Sequence, residues 1–300
     1  MKNSILASFA LVASLGIQPF MFSHADSVNS VSEMLSEGDT SLSFRYRYEF
    51  VDQDGVANNA NASTLKSRIT YKSATYNGLT AVLEMDNVTL IGDENYRTPS
   101  NGNLGYPIVA DPVGTDFNQA LLTYKNADTS VNLGKQRILH GGQRFVGGVG
   151  FRQNEQTYDA LSFATKLQNS VSVNYSYIWN VNRIFGPKDS AVQAKRWESD
   201  SHILYSAFTP ADGHSLKAYA YLLDFANAAA NSSQTVGVEY SGKFDKFSLD
   251  AAYATQSDYA DNPVNYSADY TMAQVTFPMK PLALSIGYEV LGSDDGVAAF

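Results

Sequence analysis

Basic residues recur at alternate positions in two early segments of the chain: Arg45 and Arg47, then Lys66 and Arg68, with Lys72 four residues on. A third segment carries Glu84 and Asp86 at the same spacing. A step of two places side chains on one face of an extended strand, so these residues form rows of charge. Three further arginines, Arg137, Arg144 and Arg152, lie in a glycine-rich stretch, and Asp159 follows them. Such rows suit the handling of ions. Free cations would draw carboxylate-bearing solutes, whereas Lys66 and Arg68 facing Glu84 and Asp86 would form a ladder of salt bridges. Both uses stay open for any single residue.

Catalysis is poorly served. Of the four histidines, His24 falls in the leader, and His140, His202 and His214 fall in a loop, a strand end and a turn. His202 has Ser201 and Ser206 nearby, but a nucleophilic pair needs an orienting partner on the same wall. There is no phosphate-cradling glycine loop and no Cys/His cluster. Asp93, Glu94, Asp111 and Asp116 crowd the stretch 91–116 without metal-ligand spacing and are read as exterior acidity. The expectation is a protein that is not an enzyme, with no metal and no cofactor. A net charge of -9 gives no basic footprint for nucleic acid.

The elements that must carry these charges follow from period-two alternation. In Leu42 to Phe50 every even position is apolar or aromatic and every odd one polar or charged. Strands are predicted near 40–51, 64–76, 79–90, 117–126, 130–139, 156–166, 171–182, 200–208, 215–225, 234–242, 246–257, 267–277 and 282–291. Connections at 52–63, 91–116, 140–155, 183–199, 226–233 and 258–266 are long and polar; those between them are short, with turn residues or proline. A soluble sandwich also shows period two, but it has no reason to keep its long connections at one end. The alternation predicts an all-β fold, a transmembrane antiparallel β-barrel.

A barrel assigns the faces. Leu42, Phe44, Tyr46, Tyr48 and Phe50 meet lipid and Arg45, Arg47 and Glu49 face inward; on the second strand Leu65, Ile69 and Tyr71 point out and Lys66, Arg68, Thr70 and Lys72 point in. A charge on the lipid side near the midplane costs roughly 2 to 4 kcal/mol. Parity from Val131 and Leu133 would send Lys135 and Arg137 to the lipid side unless a bulge re-aims them, and Arg137 is expected inside.

The N-terminus supports export. Lys2, an apolar run from Ile5 to Ile17, and small residues at Ser23 and Ala25 make residues 1–25 a signal peptide. Residues 26–39 are then a short periplasmic segment and 40–300 the barrel domain. Cysteine is absent, charged residues are only 17%, and Tyr (19) and Phe (16) are plentiful, as interfacial girdles require. The last predicted strand runs outward into Leu291–Gly296, which leaves an odd count, so the chain is expected to stop short of closing the barrel.

The stretch LGKQRILHGGQRFVGGVGFRQNEQTYDA, from Leu133 to Ala160, resembles the alginate-export family of outer-membrane proteins. Phe44–Glu49, Ser63–Arg68 and Tyr219–Phe225 resemble that family too. The resemblance implies a monomeric barrel of 18 strands, about 13 of them here, carrying an anionic polysaccharide or oligosaccharide across the bacterial outer membrane. Its pore lining would include Arg45, Arg47, Lys66, Arg68, Lys72, Arg137, Arg144, Arg152, Glu84, Asp86 and Asp159. The alternative is a general or nutrient-uptake porin for small organic solutes. Arg183, Lys188, Lys195 and Arg196 form either a basic mouth or a site for lipopolysaccharide phosphates, and a third reading makes the barrel an anchor for partner-binding loops.

Overall fold

The computed structural model describes residues 27–300 apart from 169, 191, 295, 297 and 300. Residues 1–25, expected to be a signal peptide, lie outside the described residues. A short helix α1 (Val31–Ser36) precedes thirteen long strands: β1 (Asp39–Val51), β2 (Ala60–Lys72), β3 (Leu79–Leu90), β4 (Gly114–Asn126), β5 (Thr129–Gln136), β6 (Thr157–Gln168), β7 (Val171–Asn182), β8 (Arg196–Phe208), β9 (His214–Leu223), β10 (Ser233–Lys243), β11 (Ser248–Asp258), β12 (Ser267–Met279) and β13 (Leu282–Leu291). They form one sheet in strict sequence order, from β1 to β13. The pairings described are all antiparallel. This is the up-and-down meander of an outer-membrane β-barrel, in which lipid leaves backbone groups no partner but a neighbouring strand. Beyond β13, Ser293–Asp294 pairs with Ala298–Ala299.

Every predicted strand has its counterpart, with differences at the ends. β2 runs 60–72 rather than 64–76. Its last predicted residues leave the ladder because the N-terminal segment competes for them: Ala74 donates its N–H to the Met34 carbonyl (3.0 Å) and Val28 to that of Thr75 (3.0 Å). Val28, Met34 and Ala74 form a small apolar cluster with Tyr76 and Ala81 beside it. Asn77 and Gly78, both at positive φ, make the two-residue hairpin that joins β2 to β3. β5 stops at Gln136, earlier than expected, and β8 starts at Arg196.

The chain divides into two compact units. The first holds the described residues up to Tyr124, with Asn132–Asp159 and Asn180–Trp197. Here one face of β1 to β3 is apolar and open, with Leu42, Phe44, Ile69, Leu83 and Met85 exposed, while Arg47, Glu49, Lys66, Glu84 and Asp86 are buried on the other. The cover on that polar face is loop chain. Segment 91–113 packs Tyr96 and Val109 onto Val51, Ala60 and Ala62. Segment 137–156 hydrogen-bonds to β1 and β2.

The second unit comprises Lys125–Val131, Ala160–Trp179 and the chain from Glu198 onward. Its polar-side residues include a stack of Tyr205, Tyr219 and Tyr221, with ring centroids 6.5 and 4.8 Å apart. Gly237 makes room for it, because a Cβ there would collide with the Tyr219 ring. Lys217 lies 3.5 Å from Glu239 beside them.

Candidate functional site

Strand register and one folded-back loop build the site in the first unit. β1 and β2 set Arg45 opposite Lys66, and β2 and β3 set Arg68 opposite Asp86 and Thr70 opposite Glu84. Like charges directly opposite repel. The two cations are separated by their partners: Arg45 reaches to the loop after β5, and Lys66 lies 3.5 Å from Glu155 and 3.9 Å from Asp86. Arg68 meets Asp86 through two parallel bonds of 2.6 Å, the planar fork a guanidinium allows.

Glu155 is the hub of one cluster. It accepts from Arg68 (2.8 Å), Arg137 (2.5 Å) and the Asn118 amide (3.0 Å). Glu84 accepts from Arg137, from Asn118 (2.7 Å) and from Thr70 (3.0 Å). Asn118 reaches both carboxylates because it is the extra residue of a β-bulge: Glu84 pairs with Gln119 and Met85 with Phe117. Burial alone would push the Glu155 carboxyl up, but the hydrogen bond from Arg137 and the charges of Arg68 and Arg137 outweigh it. They hold Glu155 below the usual carboxylate range.

A second cluster joins Arg47, Glu49, Asp111 and Arg152. Glu49 lies 2.5 Å from Arg47 and 2.8 Å from Arg152, while Asp111 lies 3.4 and 3.8 Å from the same two guanidinium groups. Asp111 also accepts the Gln153 backbone N–H at 2.8 Å. Gln153 is fully buried. Its amide nitrogen donates to the Thr64 carbonyl (3.1 Å) and hydroxyl (2.9 Å), and its oxygen accepts from Arg45 (3.1 Å). Arg45 further donates to the carbonyls of Gly150 (2.8 Å) and Arg152, and Arg47 to that of Phe151 (2.9 Å).

The outcome is a balanced wall. Arg45, Arg47, Lys66, Arg68, Arg137 and Arg152 stand against Glu49, Glu84, Asp86, Asp111 and Glu155, leaving one positive charge in excess. Buried ions persist only where neighbours pair and hydrogen-bond them. The basic row is therefore consumed in holding two loops to the sheet.

The sequence-derived candidates divide accordingly. Arg45, Arg47, Lys66, Arg68, Glu84, Asp86, Arg137 and Arg152 come together. Arg137 does so because β5 ends one residue before it, which frees it from strand parity. Gly134, at φ 121°, bends the strand just upstream. Three other candidates lie apart from that cluster. Lys72 is exposed at the end of β2, beyond the reach of the cluster. Arg144 is exposed in the loop after β5. Asp159 accepts from Asn180 (2.8 Å) and Asn182 (2.9 Å), so its partners are neutral amides and not arginines. Asp111, read as exterior acidity, is 1% exposed. In segment 183–195, Arg183 donates to Gln193 and Ala194 and lies 4.0 Å from the Trp197 ring, and Lys195 pairs with Asp189, so two of the four charges expected at a basic mouth are satisfied locally.

Gln153, Asn118 and Phe151 were not singled out by sequence reasoning. The signal for Asn118 was a parity break, since Phe117 is exposed at an odd position and Leu122 and Tyr124 at even ones. Gln153 has no local signal, because its partners lie 89 and 108 residues away.

Residues 4–143 match the family model for the Campylobacter major outer membrane protein. A search of curated proteins finds no match. Among solved structures, Acinetobacter baumannii OccAB4 is 13% identical with a TM-score of 0.59, over 83% of this chain and 66% of that one. Acinetobacter baumannii OccAB3 is 13% identical with a TM-score of 0.67 (88% and 69%), and Pseudomonas aeruginosa OccK8 (OprE) 12% with 0.64 (89% and 71%). The chain spans about two thirds of the length of these structures. At such identities the likeness is one of fold. These findings overturn the resemblance to the alginate-export family. Within the stretch Leu133–Ala160 that carried the resemblance, Gly150–Glu155 is occupied by contacts to the wall, a structural duty that says nothing of cargo.

Proposed function

We propose that this protein is a passive channel of the bacterial outer membrane, a general or nutrient-uptake porin for small organic solutes. The observation that carries the reading is the neutralised polar wall with a loop drawn across it. A polysaccharide pathway would call for a continuous run of accessible cations, and six cations here face five carboxylates. With so little net charge, selection rests on size and on the surface the loop presents. In this reading the protein acts by admitting solutes.

Liposome swelling tests this. Small neutral sugars and amino acids should enter at rates falling with size, and uronate oligomers should neither pass nor block conductance in planar bilayers. Block by uronate oligomers at low concentration would return the anionic-saccharide reading.

A further inference from the structure

One aromatic side chain of the folded-back loop rests against arginines of the wall with most of its ring exposed. Phe151 is 64% exposed although it sits on the polar side of the sheet. It lies in a tight turn closed by the Arg152 N–H on the Val149 carbonyl at 3.0 Å. The carbonyls of Gly150, Phe151 and Arg152 are all taken by Arg45 and Arg47 of β1. Val149 adopts φ 49°, a conformation β-branched residues rarely accept, and a Cβ on Gly150 would meet open space. The wall thus grips the backbone and leaves the ring uncovered.

What the ring offers follows from its surroundings. The guanidinium carbons of Arg47 and Arg152 lie 5.5 and 4.9 Å from its centroid. Both are paired with Glu49 and Asp111, so the ring stands on a base without net charge. A passing solute meets apolar area and a π-face there. Most of an exposed phenyl ring gains little from packing, and a rigid mount for it is the arrangement a selecting group needs.

We propose that Phe151 is a specificity-determining residue, an apolar knob that favours solutes with a flat apolar face over equally large, fully hydrated ones. The inference rests on the channel reading above. Its test uses the whole protein, as wild type, Phe151→Ala and Phe151→Trp, in planar bilayers and liposomes. The probes are tryptophan and triglycine, two zwitterions of similar mass. The wild type should pass tryptophan preferentially, and Phe151→Ala should cut that preference about threefold, the effect of losing part of a ring's apolar contact. Phe151→Trp should keep or raise it while lowering ion conductance. A tryptophan preference unchanged in both variants, in channels that still open, overturns the inference and leaves the channel reading standing. A wild type that opens no channels overturns the reading and the inference with it.

Discussion

Arg45 of the first strand donates its Nε–H to the Gln153 side chain at 3.1 Å across 108 residues of sequence. That bond, with two more from the same guanidinium to Gly150 and Arg152, sews the loop after β5 to the wall. Arg45→Lys keeps the charge and loses the fork. It should weaken loop docking by about 1 to 2 kcal/mol, since the three donors of an ammonium radiate from one nitrogen and cannot match the planar spread of the guanidinium. Faster amide exchange over 150–153, with the strands unchanged, is the expected readout.

Glu155→Gln removes the carboxylate that three cations share. Arg68 and Arg137 keep Asp86 and Glu84, but the loop loses its ion pairs with Lys66 and Arg68 of β2, at a cost of about 3 kcal/mol. Single-channel recordings should show a noisier or larger conductance. Quiet channels of unchanged size would remove Glu155 from its role as a latch.

Acid should act on the loop in two stages. His140, in the same loop, is pushed down to about 4 by burial. Its folded value lies below the unfolded one near 6.5. The stability tied to its neutral form is therefore complete above that value and is lost as pH falls from about 6.5 towards about 4. Glu155 is also depressed, so its contribution is present above the ordinary carboxylate value and persists until pH drops well beneath it. Exchange protection should decline first around 138–146 and only in stronger acid around 153–156. His140→Gln should abolish the first stage alone.

Gly134 tests the route of β5. Its φ is 121°, and a Cβ there would fall on the Ala120 carbonyl oxygen of the neighbouring strand. Gly134→Val should cost about 2 kcal/mol or more and lower the yield of heat-resistant folded protein on gels. Gly55, also at positive φ but in open space, is the milder control.

The strands were legible because lipid and water impose opposite chemistry on alternate residues, and that constraint is local. Leu42 to Phe50 shows it without help from any other part of the chain. The site was only half legible. Parity placed Arg45, Arg47, Lys66 and Arg68 on the right face, yet nothing nearby says that their partners are Gln153, Glu155 and Asp111, far along the sequence. Asp111 looked like loop acidity because charge in a polar stretch reads the same whether it stays in water or folds under two arginines. Arg137 escaped its parity because where a strand ends is set by the backbone around Gly134 and not by the alternation before it.

The latch has a kinetic cost. Glu155 and Gln153 meet partners in β1 and β2 that left the ribosome roughly a hundred residues earlier, so these contacts cannot form until the intervening strands have paired. Long-range closure of this kind slows assembly. In the interval the six cations and five carboxylates lie open to water and to any passing polyanion or polycation. The late docking of one short loop marks when the wall stops being sticky, and variants that loosen it should linger longer with the periplasmic chaperones that hold unassembled chains.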